Sequence, residues 1–216
     1  EKIDFIIELG MQPMITLHHF THPMWFEEMG SFEKEENIAH FLRFVEEVFS
    51  RYSDRVKWWC TINEIESFAS MGWSIGAFPP GKKNFQTMAH VMSNLLKAHV
   101  QAYKMVKNME YGANCEIGLV KNIFQFDPYH RWNPIHWLLA KVLNYIANES
   151  ILVAMKTGVF RIRIPLAINV TEQISDLPTS MDFIGLNYYS NLYASVYRMI
   201  NPFIDLRRSH QVMTDF

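Results

Sequence analysis

Apolar positions recur along the chain in two alternating rhythms. Residues 11–20 (MQPMITLHHF) form a short, continuous, partly β-branched run, the pattern of a buried strand ending in polar histidines. A loop over 21–32 separates it from residues 33–51, where Ile38, Phe41, Leu42, Val45 and Phe49 fall on one helical stripe behind an acidic first turn. The order strand, loop, helix then repeats. Residues 56–62 (VKWWCTI) predict a strand, 72–83 a loop rich in Gly and Pro, and 87–109 a helix. Residues 116–122 (EIGLVKN) predict the next strand, 126–134 its loop, and 135–156 a helix ending near Gly158. The stretch 160–179 reads as irregular, and 181–188 (MDFIGLNY) as a fourth strand. Ahead of these, Ile3, Ile6 and Ile7 have helical spacing and the run stops at Gly10, with no capping residue or initiator Met before it. The chain is therefore expected to start inside a helix.

Almost wholly apolar strands alternating with long helices indicate a parallel sheet covered by helices. Four such units fit half of a (β/α)8 barrel or a small doubly wound sheet. His18, His19, Asn63, Glu64, Asn122, Asn187 and Tyr189 gather at the C-terminal ends of their strands, the edge where both architectures bind ligands. No glycine-rich phosphate loop follows any strand, which weakens the nucleotide-binding version.

With 216 residues, 49% of them hydrophobic and 19% charged, the chain can bury a sizeable core as a single domain. A net charge of −2, with Lys and Arg scattered among acidic residues, gives no basic field, so nucleic acid and anionic membrane are not expected partners. No apolar stretch approaches the roughly 20 residues of a spanning helix, because the run 135–143 is broken by His136 and Lys141. A soluble chain is expected. Cys60 and Cys115 sit in apolar runs as small hydrophobes and do not argue for secretion, which leaves the cytoplasm favoured. Oligomeric state is not legible.

Glu64 is the sharpest chemical candidate. A carboxyl at the end of a buried strand, preceded by the Asn63 amide and flanked by Trp58 and Trp59, is set to lose solvent and to persist as the uncharged acid. A capping or salt-bridged role is the plainer alternative. Glu66 would share its face only if the strand continued, and a solvated loop position is the expectation for it. His18, His19 and His22 invite a metal reading. Strand neighbours point to opposite faces, however, and no recognised His or Cys spacing is present, so neither metal nor cofactor is expected. Met88, Met92, Met105 and Met109 follow helical spacing and read as packing. Trp25, Trp58, Trp73 and Trp132 have no order of functional merit from sequence.

The run Asp54-Arg55-Val56-Lys57-Trp58-Trp59-Cys60-Thr61-Ile62-Asn63-Glu64 resembles the fourth-strand motif of family 1 glycoside hydrolases, the β-glucosidase family. Further stretches agree in order. Pro13-Met14-Ile15-Thr16-Leu17-His18-His19-Phe20 resembles the third strand, and Phe78-Pro79-Pro80-Gly81 the loop after the acid/base. Asn94-Leu95-Leu96-Lys97-Ala98-His99 resembles the next helix, Ile117-Gly118-Leu119-Val120-Lys121-Asn122 the fifth strand, and Asp182-Phe183-Ile184-Gly185-Leu186-Asn187-Tyr188-Tyr189-Ser190 the sixth. The resemblance implies a partial (β/α)8 TIM barrel covering about strands three to six, a single domain truncated at both ends. It also implies a retaining β-glycosidase acting on β-linked glycosides or oligosaccharides.

By the same resemblance, Glu64 is the acid/base, His19 binds sugar hydroxyls and Asn63 holds the 2-hydroxyl. Asn187 and Tyr189 match the pair beside the nucleophile. Retaining hydrolysis needs a second carboxylate about 5–5.5 Å from the acid. The family carries it in a T-E-N-G motif, which does not occur here, and Thr214-Asp215-Phe216 resembles the start of the D-x-G-W segment that precedes it. The alternative is a truncated, non-catalytic fragment that binds sugar or a partner. Departures from the family pattern are Ile65 in place of proline, Met29-Gly30-Ser31-Phe32 in place of G-G-W, and Phe20 in place of tryptophan. Residues 124–178 are short and lack the G-D/E-Y-P loop, with Gly158-Val159-Phe160 as the nearest counterpart. These departures bear on substrate preference more than on reaction type.

Overall fold

A computed structural model describes residues 1–196 and the backbone of 204–205; Thr214–Phe216 lie outside the described residues. In chain order the elements begin with α1 (Lys2–Glu8), β1 (Met14–His18), α2 (Met24–Glu28), α3 (Ile38–Tyr52) and β2 (Trp58–Asn63). There follow α4 (Ile65–Ser70), α5 (Phe85–Lys107), β3 (Glu116–Asn122), β4 (Gln125–Pro128), α6 (Pro134–Asn144) and α7 (Ser150–Thr157). The chain continues through β5 (Val159–Ile164), β6 (Ile168–Gln173), β7 (Phe183–Asn187), β8 (Asn191–Ala194) and β9 (Ile204–Asp205).

The four strands expected from the apolar runs form one parallel sheet in the order β1-β2-β3-β7. The register carries Thr16, Cys60, Gly118 and Phe183 across the sheet in one row. A second row, nearer the C-terminal ends, aligns Asn63 with Val120 and Val120 with Gly185. Helices α3 and α5 cover the outer face. Trp59 meets Phe49 of α3 at 4.9 Å between ring centroids, and Thr61 Oγ1 lies 2.7 Å from His99 Nδ1 of α5. The core is therefore the interface between strand outer faces and helix stripes, with Val45, Phe49, Leu95, Leu96, Ile62 and Leu119 fully enclosed. Met88 and Met92 are buried in it, and Met105 and Met109 pack against it, as their spacing predicts.

Among the described residues β1 and β7 each pair on one side only, so the sheet has two open edges. On β7, Ile184 and Leu186 are 50% and 67% exposed, the alternate residues of a strand with one face uncovered.

Several expectations are corrected. Residues 160–179 are not irregular: β5 and β6 form an antiparallel hairpin in which Phe160, Ile162, Ile168 and Val170 are buried while Arg161 and Arg163 face outward. The period of two is there in the sequence, but arginines at alternate positions and Pro165 at the turn disguise it. The loop after β3 contains β4, which pairs with β8. Within residues 21–32 lies the short α2, and α3 begins at Ile38 rather than at the acidic run 33–36, which forms two single 3-10 turns. The expectation that no segment is long and apolar enough to cross a membrane is also overturned. Pro134–Thr157 is 24 residues of α6, a π-helical turn over Tyr145–Glu149, and α7, and it passes that test by length and composition. His136 and Lys141 do not interrupt it, because the flanking apolar residues outweigh them; His136 is buried and Lys141 exposed. Its Ala140, Ile151 and Ala154 are likewise buried, whereas Ile135, Leu138 and Val153 are exposed.

Gly118 leaves no room for a side chain between β3 and β7: a Cβ there would lie 2.5 Å from the Phe183 carbonyl oxygen. Backbone cannot yield as a flexible side chain can. Gly118→Val is expected to destabilise the protein by about 1–3 kcal/mol, the usual range for overpacking, and a lowered denaturant midpoint would register it.

Candidate active site

The site grows from the C-terminal end of β2. Glu64 donates its backbone N–H to the Val120 carbonyl at 2.8 Å, continuing the parallel ladder one residue past the strand. Its φ of 46° and ψ of 68° then turn the chain into α4. A left-handed backbone is uncommon for a residue with a Cβ and costs about 1–3 kcal/mol. The side chain that results is 5% exposed and lies over the inner ends of the neighbouring strands. Both its oxygens are engaged: Asn187 Nδ2 donates to Oε1 at 2.6 Å, and Asn122 Nδ2 to Oε2 at 3.1 Å.

Around that carboxyl the structure gathers the four residues expected to accompany it, His19, Asn63, Asn187 and Tyr189. Asn63, 3% exposed, accepts from Asn187 Nδ2 at 3.4 Å on its Oδ1, and its Nδ2 lies 3.3 Å from His19 Nε2. His19 is itself exposed at the mouth. Tyr189 is 61% exposed and faces Glu64. Its phenol is pushed up, first by partial burial and then by the adjoining carboxylate. His19, Asn63, Glu64, Asn187 and Tyr189 thus form one chain of contacts from β1 to β7.

Trp58 and Trp59 do not enclose Glu64. They begin β2, five or six residues back, where Trp59 packs outward on Phe49 and Trp58 lies edge-on to Phe183 at 5.5 Å. At about 3.3 Å per residue that is the far end of the strand. The solvent around Glu64 is excluded instead by amides and by neighbouring strand ends. Among the remaining tryptophans, Trp73 is buried and donates to Glu33 at 2.9 Å, whereas Trp25 and Trp132 are exposed.

Glu66 departs furthest from expectation. It is not a solvated loop residue but part of the first turn of α4, 1% exposed, with Oε1 2.8 Å from Lys121 Nζ. Asn122 donates its backbone N–H to the same oxygen at 2.9 Å. Lys121, read only as one letter of an apolar strand, is equally buried. Burial drives Glu66 up to about 7 against the pull of Lys121, and it drives the Lys121 ammonium down. The available sequence signal was a lysine inside a β-run, which burial tolerates only with a partner.

Of the three histidines near β1, His18 and His19 diverge as strand geometry requires, while His22 stays beside His18. His18 is 3% exposed beneath Phe32, Phe41 and Phe68, and His19 turns to Asn63. His22 lies 3.4 Å from His18 and 2.6 Å from Glu27. Among the described residues no three His, Cys, Asp or Glu side chains converge as a metal site.

The profile of Glycosyl hydrolase family 1 matches residues 1–209. The chain belongs to this family. Family 1 relatives include a 6-phospho-beta-galactosidase of Clostridium acetobutylicum, 30% identical over 91% of this chain and 44% of the relative. A furostanol glycoside 26-O-beta-glucosidase of Hellenia speciosa is 28% identical, covering 90% of this chain and 38% of its own length. Among solved structures, a beta-glycosidase from Pyrococcus horikoshii superposes with a TM-score of 0.76 at 31% identity, over 94% of this chain and 45% of that one. The Thermotoga maritima beta-glucosidase in complex with glucoimidazole also gives 0.76, at 25% identity, over 89% of this chain and 45% of that one. The chain thus spans less than half the length of these family 1 proteins, and its sheet is four strands of their (β/α)8 barrel.

His18 and His99 lie beside and beneath the site as buried imidazoles, held down to about 3 and about 4, chiefly by burial and against the ordinary 6.5. Between pH 4 and 6.5 the unfolded chain binds these protons and the folded one does not, so stability falls as pH drops through that window. The slope is at most about 1.4 kcal/mol per pH unit for each imidazole. The urea midpoint is expected to fall from pH 7 to pH 5, and less steeply in His99→Asn.

Proposed function

We propose that the protein carrying this chain is a retaining β-glycosidase, β-glucosidase-like, with Glu64 as general acid/base. The observation that carries this reading is the Glu64 carboxyl, 5% exposed at a strand end and held by two amides within a family 1 barrel segment. A proton donor must be fixed in direction before it can serve a glycosidic oxygen, and the Asn122 and Asn187 amides fix this one.

The mechanism divides the labour between two carboxyl groups. Glu64 protonates the departing oxygen, and a second glutamate attacks the anomeric carbon from about 5–5.5 Å away to form the glycosyl-enzyme. Glu64 then takes a proton from the water that releases the sugar. The nucleophile comes from the part of the relatives' length that this chain does not span. His19 and Asn63 present an imidazole and an amide to sugar hydroxyls. Asn187 and Tyr189 occupy the side toward the next barrel strand, where they join Glu64 to the incoming nucleophile. The named relatives include enzymes for phosphorylated and for plain glycosides, so the glycone class is left open at this level.

The competing reading is a shortened protein that binds a sugar or a partner without turnover. It draws on the edges of β1 and β7, which are open among the described residues. Sequencing the locus downstream of codon 216 separates the two, because a T-E-N-G motif in frame supports the enzyme and a stop supports the fragment.

In the full-length protein, Glu64→Gln is expected to lower kcat on β-glycosides with poor leaving groups roughly 10²- to 10⁴-fold. Aryl glycosides with acidic phenols should lose least. Unchanged turnover of poor leaving groups would remove Glu64 from the mechanism. Expressed alone, the 216-residue chain is expected to show no hydrolysis and to self-associate through its unpaired strands, as sedimentation and the same assays would reveal.

A further inference from the structure

The acid/base reading uses Asn122 to hold Glu64 but leaves open what holds Asn122. Both of its backbone polar groups are tied to one buried ion pair. Its N–H donates to Glu66 Oε1 at 2.9 Å, and its carbonyl oxygen accepts from Lys121 Nζ. Lys121 Nζ and Glu66 Oε1 are 2.8 Å apart, and both side chains are 1% exposed. From the residue so gripped, the side-chain amide reaches Glu64 Oε2 at 3.1 Å.

We infer that Glu66 and Lys121 are a positioning pair, which fixes the Asn122 amide and through it the direction of the Glu64 carboxyl. The inference rests on the acid/base reading of Glu64.

Stability alone is a weak reason for such a pair. Desolvating two charges costs several kcal/mol, and well-packed apolar residues of like volume often serve as well or better. What an apolar pair would not do is hold both backbone polar groups of one residue. Sequence neighbours add to the geometry: Glu66 sits in the first turn of α4, where the helix N-terminus favours an anion, and Lys121 directly precedes the residue it grips.

The same pair sets the local charge beside Glu64. The charged groups acting on Glu66 are Lys121 of β3 and Glu64 itself, and those acting on Lys121 are Glu66 and Glu64. Tyr189, after β7, faces Glu64. Helix α5, which packs on α4, presents His99 to Thr61, and the turn Tyr145–Glu149 points Glu149 to Asn144. His19 stands beyond Asn63. Glu64 therefore has one cation and one anion among its neighbours. Removing the anion alone leaves Lys121 positive beside it. Removing both charges leaves the local net charge unchanged and frees Asn122.

Two variants of the full-length enzyme separate these effects, with Glu64→Gln run beside them. Glu66→Gln is expected to move the basic limb of the kcat/KM profile to lower pH by roughly 0.5–1 unit. The apolar double variant Glu66→Leu/Lys121→Met is expected to fold and to keep the wild-type limb. It should lose about tenfold or more in kcat on poor leaving groups, with KM and good leaving groups little changed. Wild-type kcat in the double variant would overturn the inference, as would an equal loss on every leaving group. Failure of the double variant to fold would also overturn it, by making the pair a folding requirement. Loss of activity in Glu64→Gln without any effect in the double variant defeats the positioning pair alone. Retained activity in Glu64→Gln defeats the acid/base reading and the inference with it.

Discussion

The hydrogen bond from the Glu64 N–H to the Val120 carbonyl fixes everything at the mouth of the sheet. It holds β2 against β3 one residue beyond the strand, so that the left-handed turn begins only after the carboxyl-bearing residue has been registered against its neighbour. Without that bond the turn could start earlier or later, and a one-residue slip sends a strand side chain to the opposite face. With it, Glu64 meets Asn122 on one side and Asn187 on the other, two residues that β3 and β7 themselves hold in register. The bulge recorded between Cys60 and Asn63 belongs to the same device, since it turns Asn63 inward toward His19 while Thr61 and Ile62 remain in the outer core.

The strands were legible because each is an apolar run bounded by polar residues, and a buried parallel strand needs little else. Glu64 was legible because it ends such a run, and the family motif around it put a role on that position. Glu66 was not, although it is two letters away. A charged residue after a strand is most often solvated, and only the tight turn at Glu64 brings this one back over β3. Lys121 was hidden for the opposite reason, being a single charge inside a run whose other members are apolar. The β5–β6 hairpin was missed because outward arginines masked its alternation, whereas the α6–α7 helix was legible in extent and only its apolar length was underread, because His136 and Lys141 were taken as breaks.

A conflict between local preference and final structure runs through these same places. Glu64 has a backbone conformation that disfavours residues with a Cβ, Glu66 and Lys121 are charges without solvent, and the Asn63 amide is enclosed. Each opposes folding, and all lie at the C-terminal end of the sheet. The opposite half of each strand, with Trp59, Thr61, Ile117 and Leu119, is ordinary packing against α3 and α5. Consistent local preferences along the outer face thus supply the stability that the inner strand ends consume.

That division also explains why half of a barrel can hold the carboxyl of Glu64 in a fixed direction, as the proposed acid/base role needs. Contacts that orient Glu64 come from β2, from the adjoining β3 and α4, and from β7, all of them inside one run of neighbouring strands. What the described residues lack is closure: among them β1 and β7 each keep an unpaired side, and Ile184 and Leu186 stand uncovered on the outer face of β7. In the proposed mechanism, closure is what brings the second carboxyl into reach and removes water from the mouth. Direction of the Glu64 carboxyl is a local property, set by β2, β3 and β7 and by the buried charges beside them.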